Sequence, residues 1–423
     1  MSFDLEAIRA QFPALALTDS GMRRIYFDNP AGTQVPVCVA EAMTDCLLRK
    51  NANLGGLFAS SKAADTVVQS AREAMADFLN APSSDEIAFG QNMTSLTLHL
   101  SRSMGKLFKA GDEILLSRMD HDANVWPWAM MARDAGLEVR WLPFNRETFE
   151  FDADALDEHI TERTKLVCIG GASNLTGTLN DVKSICTKAR AVGAITFIDG
   201  VQSAPHVSVD VQDIGCDFFA CSSYKFFGPH QGILWGRREV QEQIEPYKVR
   251  PASGELPWRF ETGTLSHEGI AGITATVDYF AAIARSMATD HSDSWAHFSG
   301  RRRDVHAAFD FLFDYEKTLT DRLVDGLVSM DGIKVQGITD KEAMDRRVPT
   351  VSFTHRSKQP AAIAKALAQN NIFVWSGYNY AHEVAKTLEV FDTGGVVRVG
   401  PVHYNSLAEI DELLEALYSI VDA

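Results

Sequence analysis

No apolar run in this chain is long enough to span a bilayer. The strongest, Ala194 to Ile198 and Phe218 to Cys221, cover only a few residues each. The opening MSFDLEAIRAQFPAL carries acids and lacks the basic start of an export signal. Cysteine is scarce, with six in 423 residues (Cys38, Cys46, Cys168, Cys186, Cys216 and Cys221) and none in CxxC spacing. That usage predicts reduced core thiols in a cytoplasmic protein. Positive charge is also short: 40 Lys+Arg against 56 Asp+Glu give a net charge of -16. Such a chain is poorly suited to phosphate backbones, so neither nucleic acid nor membrane is expected as a partner. There is no GxGxxG after a strand, no GxxxxGK[ST] and no HExxH, which speaks against NAD, ATP and zinc-hydrolase readings. Internal repeats and low-complexity segments are absent too.

What is present is an alternation of short apolar strands with longer helical stretches. Strands are expected at Glu86-Phe89, Glu113-Ser117, Glu138-Leu142, Leu166-Gly170, Ile195-Asp199, Phe218-Ser222 and Gly232-Trp235. Helical periodicity marks Ala63-Phe78, Leu96-Leu107, Trp126-Ala135, Val182-Val192 and Ala271-Ala288. This pattern predicts an α/β fold with a mostly parallel seven-stranded sheet covered by helices on both faces. Arg301-Arg302-Arg303 reads as the solvated face of a further helix. From about Trp295 a smaller α+β unit is expected. Its strands are Pro349-Phe353, Ile372-Trp375 and Val396-Val399, and its helices Pro360-Asn370 and Leu407-Val421. The expected division is a large domain over 21–290 and a small one from 1–20 and 291–423.

Ligands of parallel sheets bind at the carboxyl ends of the strands. His121, Asn174, Asp199 and Lys225 each fall just after a predicted strand, so they can converge. Lys225 sits in Ser222-Ser223-Tyr224-Lys225-Phe226-Phe227-Gly228-Pro229, and Asp199-Gly200-Val201-Gln202 closes a strand 26 positions earlier (225 minus 199). A lysine and an aspartate so placed suit pyridoxal phosphate (PLP). The lysine forms a Schiff base, and the aspartate keeps the pyridine nitrogen protonated so that the ring acts as an electron sink. Singly, each residue has a plainer reading: a turn aspartate, a surface lysine, a helix-start histidine. Asp120-His121-Asp122 hints at a metal, but no further cluster supports one, and no metal is expected. Gly90-Gln91-Asn92-Met93-Thr94-Ser95 follows a strand and opens a helix, whose free N–H groups suit a phosphate or, more simply, an N-cap. Ser222 can add a hydroxyl to that phosphate.

With these stand Tyr26-Phe27-Asp28-Asn29-Pro30-Ala31-Gly32-Thr33, Asn51-Ala52-Asn53, Asp120-His121-Asp122-Ala123-Asn124, Ser173-Asn174, Phe260-Glu261-Thr262-Gly263-Thr264 and Arg398 to Asn405. Nearly end to end, the chain resembles the class V aminotransferase group of fold-type I PLP enzymes, and within it the cysteine desulfurase-like proteins. The resemblance implies that His121 stacks on the cofactor ring and that Asn174 and Gln202 contact its 3′-oxygen. It implies that Asn92, Met93 and Ser222 hold the phosphate, with Tyr224 beside them. Thr264 would serve the phosphate of a partner subunit, implying a homodimer. Arg398 would clamp the substrate carboxylate, with Ala31 and Tyr380 also on the substrate side. Two positions depart from the family. Tyr224 stands where a histidine usually precedes the lysine. Tyr380 stands about where desulfurases carry a nucleophilic cysteine on a mobile loop, and no cysteine follows Cys221.

A tyrosine takes no sulfur as a persulfide. The expected activity is therefore a β-eliminating C–S lyase acting on an α-amino acid, in which Lys225 removes the α-proton. A class V aminotransferase uses the same base and sink and is the alternative; a true desulfurase or a racemase ranks below both.

Overall fold

The computed structural model describes residues 4–287 and 294–422. Seven strands form the main sheet: β1 (Ile87–Gly90), β2 (Glu113–Ser117), β3 (Glu138–Leu142), β4 (Thr164–Gly170), β5 (Ile195–Asp199), β6 (Phe218–Ser222) and β7 (Gly232–Gly236). Their order across the sheet is β1-β7-β6-β5-β4-β2-β3. Only β7 runs antiparallel to its neighbours. Side chains alternate between two cores, as the period of two requires. Ile233 and Trp235 of β7 enter one core and Leu234 the other; Leu115 of β2 enters the first, and Ile114 and Leu116 the second. Burial on both faces explains the near-continuous apolar strands. Helices Ala59–Phe78, Val182–Ala191 and His267–Met287 cover the first face, and Met93–Met104 and Trp126–Ala135 the second.

A second, antiparallel sheet contains β8 (Ile333–Val335), β9 (Val351–His355), β10 (Trp375–Gly377) and β11 (Val396–Val399), in the order β8-β9-β11-β10. The single strand expected over Ile372-Trp375 is split. Ile372–Phe373 pairs in parallel with Ile25–Tyr26, while Trp375 pairs with Arg398. The chain changes partner at Val374, which a hydrophobic run cannot reveal. The 30-residue helix Gly300–Ser329 joins both cores: Val305, Phe309 and Leu312 lie in that of the main sheet, Leu319, Leu323 and Leu327 in that of the small one. Its first turn is not simply the solvated face expected. Arg301 and Arg302 both reach Asp77, at 2.8 and 3.4 Å, and are half-buried. The expected boundary between 290 and 291 lies outside the described residues. No helix among the described residues is long and apolar enough to cross a membrane.

One buried ion pair anchors the stretch that carries Thr264. Arg72 Nη2 donates to both oxygens of Glu261 at 2.8 and 2.9 Å, and Arg72 Nη1 donates to the Ile87 carbonyl. Glu261 also accepts the Phe89 N–H at 3.0 Å. The stretch Phe260 to Thr264 is thereby tied to β1. Removing one member strands the other charge in a low dielectric, typically at about 3–5 kcal/mol. Arg72→Met is expected to lower stability by that order in urea denaturation, and Arg72→Met with Glu261→Leu to recover part of the loss.

Candidate active site

The carboxyl ends of β1, β2, β4, β5 and β6 open on one side of the sheet onto a cavity of about 1050 Å³. Asn92, Met93, His121, Asn174, Asp199, Gln202, Ser222, Tyr224 and Lys225 all line it, as do Ala31, Tyr380 and Arg398. Of the residues expected in the site, only Thr264 is not brought there; it is exposed.

Asp199 and Lys225 come from adjacent parallel strands, with Asp199 paired to Ala220 of β6. Asp199 is buried, and its Oδ1 accepts the Val201 N–H at 2.9 Å. Burial raises its carboxyl to about 6, opposed by that hydrogen bond and by Lys225. The next residue is necessarily glycine: a Cβ at Gly200 would lie 1.9 Å from the Phe219 ring. Lys225 closes a single 3₁₀ turn, Ser223–Lys225, and its Nζ donates to the Pro30 carbonyl. Burial, then Arg398, pulls its ammonium down to about 7, while Asp199 pulls the other way. The same turn holds the N-terminal segment. Thr33 N–H donates to Tyr224 O at 3.1 Å, and Thr33 Oγ1 accepts the Phe227 N–H at 2.8 Å. This places Ala31 in the cavity wall.

His121 leaves β2 on a turn fixed from below. Asp120, buried, accepts the Gly170 N–H at 2.9 Å and Asn124 Nδ2 at 2.8 Å, and Asn124 in turn accepts Trp128 Nε1 at 3.1 Å. His121 Nδ1 accepts the Ala123 N–H at 3.0 Å, so in the neutral ring the proton sits on Nε2. Burial, then Lys225 and Arg398, lowers His121 to about 3, which keeps it neutral at physiological pH.

At the helix Met93–Met104, Asn92 Oδ1 caps the Ser95 N–H at 2.9 Å, and Ser222 Oγ accepts the Met93 N–H at 2.9 Å. β7 packs tightly here: a Cβ on Gly232 would lie 2.4 Å from the Asn92 carbonyl carbon. The small sheet contributes Arg398, buried, with Nη1 donating to Asn174 O at 2.9 Å. Burial lowers its guanidinium to about 10. Asn174 Nδ2 donates to Asn379 O at 2.7 Å, and Gln202 Nε2 to Thr350 Oγ1 at 2.9 Å. Three buried polar atoms here, Arg398 Nε, Asn174 Oδ1 and Gln202 Oε1, have no hydrogen-bond partner among the described residues. Buried polar atoms are rarely left so, and their clustering on one cavity marks a polar ligand site.

Several lining residues carried no sequence signal. His230 stacks on Tyr224 (4.9 Å between centroids, 9° between planes), and its place after Pro229 in the turn from the lysine to β7 was the one available hint. Leu98, Trp126, Pro127 and Met130 form an apolar wall from two helices that only the fold brings together. Among the described residues no cluster of three His, Cys, Asp or Glu is placed to hold a metal ion.

This sheet, with a lysine and an aspartate at the ends of adjacent strands, defines the fold-type I class of PLP-dependent enzymes. The sequence profile of Aminotransferase class-V matches residues 25–301 and 306–413, and the chain belongs to that family. It is 30% identical over 435 residues to a protein of Pectobacterium carotovorum named cysteine desulfurase, covering 99% of this chain and 98% of the relative. It is 31% identical to an aminotransferase-like protein of Gibberella zeae, covering 99% of each. The apo structure of a cysteine desulfurase from Thermococcus onnurineus superposes with a TM-score of 0.85 at 28% identity, covering 99% of this chain and 98% of that one.

None of the six cysteines lines the cavity. Five are buried and Cys38 is partly exposed. Burial raises every one of the six thiols above its ordinary value, Cys186 to about 12. Such thiols are poor nucleophiles. Titration of the native protein with Ellman's reagent is expected to detect at most one slow thiol, and all six after denaturation.

Proposed function

We propose that the protein is a PLP-dependent β-eliminating C–S lyase, acting on an α-amino acid without a protein persulfide. The observation that carries this reading is the cavity lining: Tyr380 and no thiol. PLP, when bound, withdraws electrons from the substrate Cα, so that the proton there can leave. The chain's own groups fit that cofactor. Asp199 offers a buried carboxylate to a protonated pyridine nitrogen. Lys225 is the attachment point and the base. Asn92, Met93 and Ser222 frame the phosphate, His121 offers a ring face, and Asn174 and Gln202 offer amides to the 3′-oxygen. Arg398, with Nε unpaired, holds the α-carboxylate, which orients the Cα–H toward Lys225 Nζ. Once that nitrogen takes the proton, the β-substituent departs with its bonding electrons and sulfur leaves as a free product.

Aminotransfer is the second reading, because the same lysine can return the proton to the cofactor side, and one relative is named aminotransferase-like. We further propose that the enzyme works in the cytoplasm as a homodimer. Thr264, exposed and held by the Arg72–Glu261 anchor, would serve the neighbour's phosphate. The large domain would cover 21–290, and the small one 1–20 and 291–423.

Only a neutral amine attacks an aldehyde, and Lys225 is held near 7 rather than the ordinary 10.5. Uptake of PLP by the apoprotein is therefore expected to speed up between about pH 6 and 8 and then level off. Rapid-mixing absorbance checks this; a rate still rising steeply above pH 9 contradicts it. Lys225→Ala is expected to abolish the borohydride-fixable visible band.

Incubation with L-cysteine and S-substituted cysteines, following pyruvate, ammonia, sulfide and keto-acid-dependent amino transfer separately, tests the reaction. Pyruvate and ammonia are expected in equal amounts, with no mass gain on the protein. A stoichiometric persulfide, lost together with activity in one Cys→Ala variant, defeats the lyase reading. Amino transfer without pyruvate establishes the second reading in its place.

A further inference from the structure

The loop from Gly377 to Tyr380 combines strain, exposure and contact in a way core packing does not explain. Asn379 and Tyr380 both hold left-handed backbone, at φ 52° and 59°, next to Gly377 at 110°. Left-handed backbone is unfavourable for a tyrosine and less so for an asparagine, and persists where the surroundings hold it. Two hydrogen bonds do so, and both reach the active site. Asp122 N–H donates to Tyr380 O at 2.8 Å, and Asn174 Nδ2 donates to Asn379 O at 2.7 Å. The loop is thus latched to the residue after His121 and to Asn174.

The strained backbone delivers the Tyr380 ring. That ring is 70% exposed, so burial does not account for its place. It lies against His121, 5.5 Å between centroids and 21° between planes. Stacked rings at this separation attract and restrict each other's rotation. His121 is then gripped twice, on one ring face by Tyr380 and on Nδ1 by the Ala123 N–H.

We propose that Tyr380 is a positioning residue: its ring, delivered by the latched loop, holds His121 in the orientation in which Nδ1 accepts the Ala123 N–H. This rests on the reading of His121 as the ring beside the cofactor. It gives the loop a different task from carrying a nucleophile. The position contributes a wall to the histidine, and its hydroxyl takes no part. Charged groups that bear on His121 from other elements are Lys225 and Arg398, neither of which Tyr380 variants alter.

The experiment labels the holoenzyme with diethyl pyrocarbonate and reads His121 by peptide mass spectrometry, alongside α-proton exchange of a bound amino acid in D₂O. With Nδ1 occupied and a face covered, His121 is expected to react slowly in the wild type. Tyr380→Phe keeps the ring and should stay within about twofold of that labelling rate. Tyr380→Ala should raise it about fivefold or more and lower kcat for exchange about tenfold, with KM little changed. Tyr380→Leu, similar in bulk but not planar, should behave like the alanine variant and guards against a folding defect. Wild-type labelling in both Tyr380→Ala and Tyr380→Leu overturns the proposal. So does a Tyr380→Phe variant as impaired as Tyr380→Ala, which would assign the chemistry to the hydroxyl. The labelling arm needs no turnover, so its failure is told apart from failure of the lyase reading.

Discussion

Asp199 and Lys225 set the terms for the rest of the molecule. A parallel sheet brings two opposite charges to the ends of adjacent strands and covers both from water. Burial works against both charges while their mutual attraction supports them, and the balance leaves the carboxyl raised to about 6 and the ammonium lowered to about 7. On the proposed reading, a cationic ring nitrogen would give the aspartate a charged partner, and an aldehyde would meet a lysine already near neutral. The neighbouring cation Arg398 sharpens the arrangement. It lowers the lysine further, and its own Nε has no partner among the described residues, so a substrate carboxylate bound there, as proposed, would supply one.

Arg398 reaches the cavity only because two cores are made continuous. It lies on β11 of the small sheet, paired with Trp375, while its Nη1 contact is the Asn174 carbonyl beyond β4 of the main sheet. The helix Gly300–Ser329 packs into both cores, and the N-terminal segment bridges them as well. Asn29 Nδ2 donates to Gly400 O at 2.7 Å, and Tyr404 donates to Asn29 Oδ1. Asp199 and Lys225 therefore come from one sheet and Arg398 from the other, and packing sets their relative position. Catalytic geometry of this kind tolerates errors well below the size of a side chain, so the close-packed interface is part of the chemistry.

Those layers explain what the sequence could and could not reveal. β2, β3, β5, β6 and β11 are readable to the residue; β2, β5 and β6 are largely apolar because they are buried in the sheet, and β5 ends at the sharp polar break Asp199-Gly200. The convergence of His121, Asn174, Asp199 and Lys225 follows from the parallel topology alone. What stayed hidden depends on distant pairing. The break at Val374 separates two strand partners that lie hundreds of residues apart in the chain. Arg301 and Arg302 read as a solvated face, since nothing nearby announces Asp77. His230 lies in a turn and reaches the cavity beside Tyr224, while the wall of Leu98, Trp126 and Met130 comes from two helices of ordinary composition that only packing brings together. Tyr380 stands out in the sequence only as a missing cysteine; the left-handed backbone at Asn379 and Tyr380 is a property of the latch.

The position of Tyr380 also bears on how one fold separates related chemistries. Elimination, the proposed reaction, needs a base, an electron sink and a held carboxylate, for which Lys225, Asp199 with the cofactor, and Arg398 are the proposed suppliers. Sulfur transfer to the protein needs one thing more: a thiolate free to reach the substrate and to withdraw carrying its cargo. A loop pinned through its own carbonyls to Asp122 and Asn174, with an aromatic ring laid on His121, supplies neither the nucleophile nor the freedom. The change is larger than one residue type for another, because a ring that must stack calls for a loop that stays, whereas a thiol that must travel calls for one that leaves. In this chain the left-handed backbone at Asn379 and Tyr380 is held by two hydrogen bonds from residues that line the cavity, and the loop so held lays its ring on His121.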